Sequence, residues 1–195
     1  MRGMFRLKLA TDPRWANLAA CTLDEILSDH AYCEQKAASS CISLIQRYPE
    51  RQELVEALAP VVAEEWEHFR MVLAEQKKRG FKLGPQRRDA YVNRLRLLIR
   101  KGKADKQMLD ELLICALIEA RSCERFRVLS EQLSDVQLRR FYRHFMKSEA
   151  GHYTLFMKLA LRYFSKDEVR QRWRELVQAE KEILENMELR GDRMH

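Results

Sequence analysis

The stretch "VVAEEWEHFRMV", residues 61–72, places Glu65 and His68 three positions apart inside an apolar helical pattern. "FMKSEAGHYTLF", residues 145–156, repeats the arrangement with Glu149 and His152. Residues at i and i+3 share one face of a helix, and in both stretches that face is the apolar one that should turn to the core. An E-x-x-H string alone is a weak signal in a chain with 29 acidic residues and five His. Its position in a core stripe is what carries information.

Outward from these stretches the chain reads as long helices. The first opens at "TDPRW", with Thr11 or Asp12 as N-cap and Pro13 in the first turn, and spans about 13–47. Its stripe Leu23, Leu27, His30, Glu34, Ala37, Cys41, Leu44, Tyr48 carries Glu34 at its centre. After the turn "YPER" a second helix, 51–79, has the stripe Leu54, Leu58, Val61, Glu65, His68, Val72 and stops at Gly80 as a C-terminal glycine should. A basic connector from 80 to 104 holds one short amphipathic helix near 86–100. The third helix, 105–132, has Glu119 at mid-stripe. The fourth, 136–164, carries Glu149 and His152 among Leu138, Tyr142, Phe145, Phe156 and Leu159. A last helix, 167–189, is amphipathic through Val169, Trp173, Leu176, Ile183 and Met187, with no polar intrusion into its stripe.

Composition agrees with this reading. Only six Gly and four Pro, with 33% charged residues, favour long helices over strands and turns. The 195 residues fit a single domain, 1–195. The five Cys form no C-x-x-C pair, which points to reduced core thiols rather than a disulfide framework or zinc ribbon. The N-terminal "MRGMFRLKLATDPRW" has no apolar core of a signal peptide, and no run of about eighteen apolar residues occurs anywhere. A cytoplasmic protein without membrane contact is the expectation. A net charge of +7 favours a polyanionic partner without proving one.

The connections run short, long, short. Short turns make helices one and two antiparallel, and likewise three and four, while the long crossover lets helices two and three run parallel. Glu34 to Glu65 is 31 residues and Glu119 to Glu149 is 30, so all six polar side chains fall at one level. Buried carboxylates cost several kcal/mol each unless paired or bound to metal. Two divalent irons, or manganese as the alternative, would neutralise four of them, with imidazole nitrogens completing the donor set. Glu34, Glu65 and His68 are assigned mainly to one ion and Glu119, Glu149 and His152 mainly to the other, with two carboxylates bridging. This is the ligand pattern of ferritin-like carboxylate proteins. The expected fold class is therefore all-α, a ferritin-like four-helix bundle with a long basic crossover and an additional C-terminal helix. Glu124 competes with Glu119, but five residues turn it away from that face. His30 is either a hydrogen-bond partner of Glu34 or a satisfied core histidine, the latter being favoured.

The segments "LSDHAYCEQKAASSCISLIQRYP", "AEEWEHFRMVLAEQKKRG", "LIEARSCERFRVLS" and "FYRHFMKSEAGHYTLFMKLA" cover all four bundle helices. Together they resemble the bacterial tRNA hydroxylases that oxidise 2-methylthio-N6-isopentenyladenosine next to the anticodon. The resemblance implies a non-haem di-iron monooxygenase with dioxygen as co-substrate, an external electron donor and tRNA as substrate. It implies the six ligands named above, acting catalytically through the metals. One departure is Gly151, where a larger, basic residue is expected in this family; it leaves space near the metals. The crossover residues Arg87, Arg88, Arg94, Arg96, Arg100, Lys101 and Lys103 are candidates for phosphate contact, with Tyr91 available for stacking. Phe126, Phe145 and Phe156 are candidate walls of a prenyl pocket or simply core. Two other functions stay open: a ferritin-like small-molecule oxidase, peroxidase or manganese catalase, and a non-catalytic helical RNA-binding protein.

Overall fold

The computed structural model describes residues 4–195, so the first three residues of the basic N-terminal stretch lie outside it. The described residues form seven α-helices: α1 (Trp15–Cys21), α2 (Leu23–Arg47), α3 (Gln52–Lys78), α4 (Ala90–Arg96), α5 (Ala104–Gln132), α6 (Val136–Tyr163) and α7 (Lys166–Glu185). None is long and apolar enough to cross a membrane. The described residues fall into two compact units, one of 4–16, 89–189 and 195, the other of 17–88 and 190–194.

In the smaller unit α2 and α3 pair through a tight turn, closed by hydrogen bonds from Tyr48 N to Leu44 O (3.0 Å) and from Arg51 N to Tyr48 O (3.0 Å). Leu27, Leu54, Leu58 and Val72 are fully buried along the pair. Where one long helix is expected over 13–47, the backbone of Thr22 leaves the helical region (φ −126°, ψ 47°) and separates α1 from α2. The start also shifts to Trp15, because Asp12 accepts from Arg14 N and so forms a turn ahead of the helix. At the far end of α3, Gly80 takes φ +74°. The N–H of Phe81 reaches back to Gln76 O at 2.9 Å, the bond that closes a Schellman cap.

Residues 190–194 complete this unit. Arg193 pairs with Asp29 at 3.0 Å, the Met194 N–H donates to the same carboxylate at 2.8 Å, and Arg87 binds Asp192 at 2.8 Å. Gly191 is required by a close approach: a Cβ there would lie 2.3 Å from the backbone carbonyl carbon of Leu18.

In the larger unit α5 is the central element, buried on nearly all faces, with α4, α6 and α7 packed against it. Side chains cap the surrounding helices: Asp89 for α4, Asp135 for α6, and a reciprocal Ser165–Glu168 capping box for α7. The short crossover helix spans only Ala90–Arg96, and α7 ends at Glu185 rather than near 189.

Contrary to the expectation for the last helix, Glu180 of α7 is fully buried. It accepts from Arg121 Nε at 2.8 Å and from the Tyr91 hydroxyl at 3.2 Å. Arg121 also donates to Glu124 (2.8 Å) and to Leu9 O (2.9 Å). Burial disfavours the carboxylate and raises the pKa of Glu180, against the pull of Arg121. A second buried acid, Asp110, receives Arg100 and Arg172 at 2.7 Å each. These pairs tie α5 to α7 and to the end of the crossover. The thiols are free, as expected, but only Cys41 and Cys123 are buried, and Cys21 is exposed rather than part of the core.

Candidate metal centre

Each unit carries one buried group of two carboxylates and an imidazole. In the smaller unit Glu34 comes from α2 and Glu65 and His68 from one face of α3, and ligand atoms of all three lie within 4.8 Å of one another. In the larger unit Glu119 of α5 joins Glu149 and His152 of α6 within the same limit. All six are at most 6% exposed. Regular helix geometry produces this: the i, i+3 pair projects from one face, and the lone Glu faces it from the partner helix.

The electrostatics of the smaller group favour a cation. His68 Nδ1 lies 3.4 Å from both Glu34 Oε2 and Glu65 Oε2. Burial alone would depress the imidazole, but hydrogen bonds to Glu34 and Glu65 outweigh it and raise its pKa to about 10. A site that stabilises positive charge this strongly suits a divalent metal held by carboxylate and imidazole, a donor set matched to iron or manganese. In the larger group His152 Nδ1 stands 3.3 Å from Glu149 Oε2.

Glu119 rather than Glu124 lies with Glu149 and His152, because Glu124 is engaged by Arg121 and by the backbone N–H and hydroxyl of Thr11. His30 does more than fill the core: its Nε2 is 2.6 Å from Glu34 Oε1. Gly151 is exposed and a Cβ there would meet nothing within 4 Å, so it does not widen the buried ligand layer. Phe126, Phe145 and Phe156 are at most 2% exposed and pack as core, with Phe126 and Phe145 ring centroids 5.7 Å apart.

The crossover cations divide. Arg87 is held by Glu25 and Asp192, and Arg100 by Asp110, so both have structural partners. Arg88, Arg94, Arg96, Lys101 and Lys103 are exposed, with Arg94 donating to Asn186 O at 3.2 Å. Tyr91 cannot stack on a base as expected. It is fully buried, and its ring stacks instead on His195 at 5.0 Å between centroids. His195 in turn contacts Ser122 Oγ at 2.9 Å, a role that nothing in its sequence neighbourhood signals.

All-helical architecture with buried Glu, Glu and His groups on paired helices defines the class: a ferritin-like carboxylate protein. The particular family follows from likeness over the whole chain. A family model described as tRNA-(MS[2]IO[6]A)-hydroxylase (MiaE) matches residues 4–195, and the chain belongs to that family. It is 39% identical over 177 residues to the tRNA 2-(methylsulfanyl)-N(6)-isopentenyladenosine(37) hydroxylase of Pseudomonas putida, covering 90% of this chain and 85% of that one. The Salmonella typhimurium protein of the same name is 24% identical over 189 residues, covering 73% and 69%. Among solved structures, a Synechococcus protein described as having aldehyde deformylating oxygenase activity superposes with a TM-score of 0.92. That protein is 39% identical, and the match covers 97% of this chain and 94% of that one.

Proposed function

We propose that the chain hydroxylates the isopentenyl group of 2-methylthio-N6-isopentenyladenosine in tRNA, beside the anticodon, as a non-haem di-iron monooxygenase. The observation that carries this is the occurrence of two buried Glu, Glu, His groups, one per unit, in a chain that matches the hydroxylase family from end to end. Glu34, Glu65 and His68 would hold one iron and Glu119, Glu149 and His152 the other.

When bound, such irons supply the reduction of dioxygen, with one oxygen atom entering an allylic C–H bond and the other leaving as water at the expense of two external electrons and two protons. The protein's own part is to hold and to exclude. Burial of all six donors keeps bulk water from the ligand layer, which strengthens every charge interaction within it. Four carboxylates offset the charge of two divalent ions, and His30 fixes the orientation of Glu34 through its other oxygen. An electron donor is a required partner, and action on tRNA accords with a cytoplasmic location.

The experiment is mass spectrometry of nucleosides from prenylated, methylthiolated tRNA after incubation with iron-loaded protein, dioxygen and a reductant. A nucleoside heavier by one oxygen atom, made only by metal-loaded protein, is the expected result. The Synechococcus likeness favours a second reading, a small-molecule oxygenase acting on an aldehyde. Unchanged tRNA together with consumption of an added aldehyde would select it. Loading with manganese in parallel shows which metal sustains turnover.

A further inference from the structure

A cleft of about 890 Å³ lies within the larger unit, between the N-terminal segment, α6 and α7. Arg6, Lys8, Lys166, Arg170 and Arg174 line it, with Asp167 as the single acid among its lining residues. All five cations are exposed. Among the described residues none of them pairs with a carboxylate; Lys8 donates to the Gln178 amide at 2.6 Å, and Arg174 Nε to the Arg170 carbonyl at 3.3 Å. This separates them from Arg87 and Arg100 of the crossover, whose charge is already answered by Asp192 and Asp110.

The arrangement is regular. Lys166, Arg170 and Arg174 recur at i, i+4 and i+8, so they form a row along one face of α7 with a rise of about 6 Å per step. That spacing is of the same order as successive phosphates along a nucleic-acid strand. The opposite wall is aromatic and apolar: Tyr153, half-buried, lies 4.3 Å from Phe5 and 5.7 Å from Trp173 between centroids. Trp173 is buried behind that wall and backs the Tyr153 ring. Unanswered positive charge in a row, beside an aromatic ring, suits a polyanion that also offers flat bases.

We infer that this cleft anchors the RNA phosphate backbone flanking the modified nucleoside, with Lys166, Arg170 and Arg174 as the phosphate contacts. The inference rests on the tRNA reading above and adds where the RNA is gripped: on α7 and the N-terminal segment rather than chiefly on the crossover. Tyr153 follows the candidate ligand His152 directly on α6, so the anchoring wall and the ligand layer belong to one rigid helix.

The test compares two triple variants of the iron-loaded full chain, Lys166→Gln/Arg170→Gln/Arg174→Gln and, as an equal loss of charge elsewhere, Arg88→Gln/Arg94→Gln/Arg96→Gln. Binding and hydroxylation of a prenylated anticodon stem-loop RNA are measured across a salt series. The cleft variant is expected to raise Kd and KM at least tenfold and to leave kcat and iron content unchanged. Its salt slope of log K should flatten by roughly 2 to 3, near 0.9 for each phosphate no longer neutralised. The crossover variant should change Kd less than threefold. Wild-type affinity in the cleft variant, or a larger loss in the crossover variant, would overturn the inference while leaving the tRNA reading intact. Wild-type protein that neither binds nor oxidises the RNA would overturn both. Should the cleft variant fold poorly, acylation footprinting of the wild type decides: RNA must protect Lys8 and Lys166, and their unchanged reactivity counts against the cleft.

Discussion

His30 Nε2 stands 2.6 Å from Glu34 Oε1, one helical turn apart on α2, and both side chains are buried. A ligand carboxylate held by such a bond is oriented before any metal arrives. Replacing His30 with Ala is expected to weaken iron binding 10- to 100-fold, the usual cost of losing an outer hydrogen bond to a ligand. Iron titration under anaerobic conditions measures this, and affinity within threefold of wild type would rule the role out.

Glu119 and Glu124, five residues apart on α5, should fail differently. Glu119→Ala is expected to remove at least one iron per chain at near-native stability. Glu124→Ala should retain both irons but lose about 3 kcal/mol, because Arg121 is left buried with one partner fewer. Metal analysis with denaturant unfolding separates the two, and the reverse pattern would refute the ligand assignment.

Gly151 sits in the interior of α6, exposed, with open space where a Cβ would go. Gly151→Ala should therefore stabilise the protein by about 0.5–1 kcal/mol through helix propensity alone. A drop in melting temperature would show that the position carries a constraint of another kind.

Asp110 gives a pH signature. Burial disfavours its charge, but hydrogen bonds from Arg100 and Arg172 outweigh burial and hold its pKa below the ordinary 3.8. A depressed carboxylate contributes stability that is fully present above the unfolded value and lost as pH falls through the folded one. Asp110→Asn should thus cost about 3 kcal/mol at pH 7, with wild type and variant converging below pH 3.8. Parallel stability curves down to pH 2 would exclude the linkage.

Iron uptake should compete with protons. The two carboxylates that raise His68 to about 10 hold a proton on a nitrogen the metal requires. Loading is expected to release at least one proton per chain near neutral pH and to weaken as pH falls. Pairing iron calorimetry with buffers of different ionisation heat counts those protons, and a count of zero would contradict the charge state inferred for His68.

The helix pairs and the Glu, Glu, His groups were legible because each depends on periodicity within a few turns: Glu65 and His68 interrupt an otherwise apolar stripe. The Arg121–Glu180 pair was not, since its partners lie 59 residues apart and Arg121, two positions past Glu119, falls off the apolar stripe of α5 where an ordinary cation would be solvated. Arg100 looks in sequence like any phosphate contact; only the fold reveals Asp110 beside it. Lys166, Arg170 and Arg174 carry no signal in the sequence, because the cleft they line needs the N-terminal segment to close it.

The strap 190–194 imposes an order on biosynthesis. The α2–α3 hairpin leaves the ribosome early, yet Asp29 and Arg87 acquire their partners Arg193 and Asp192 only after about a hundred further residues have been made. Until then the nascent hairpin carries a buried-to-be carboxylate and an open notch at Leu18, which only a residue without a side chain can fill. The half that supplies Glu34, Glu65 and His68 is therefore begun first and finished last, so premature termination would forfeit its closure while sparing its helices.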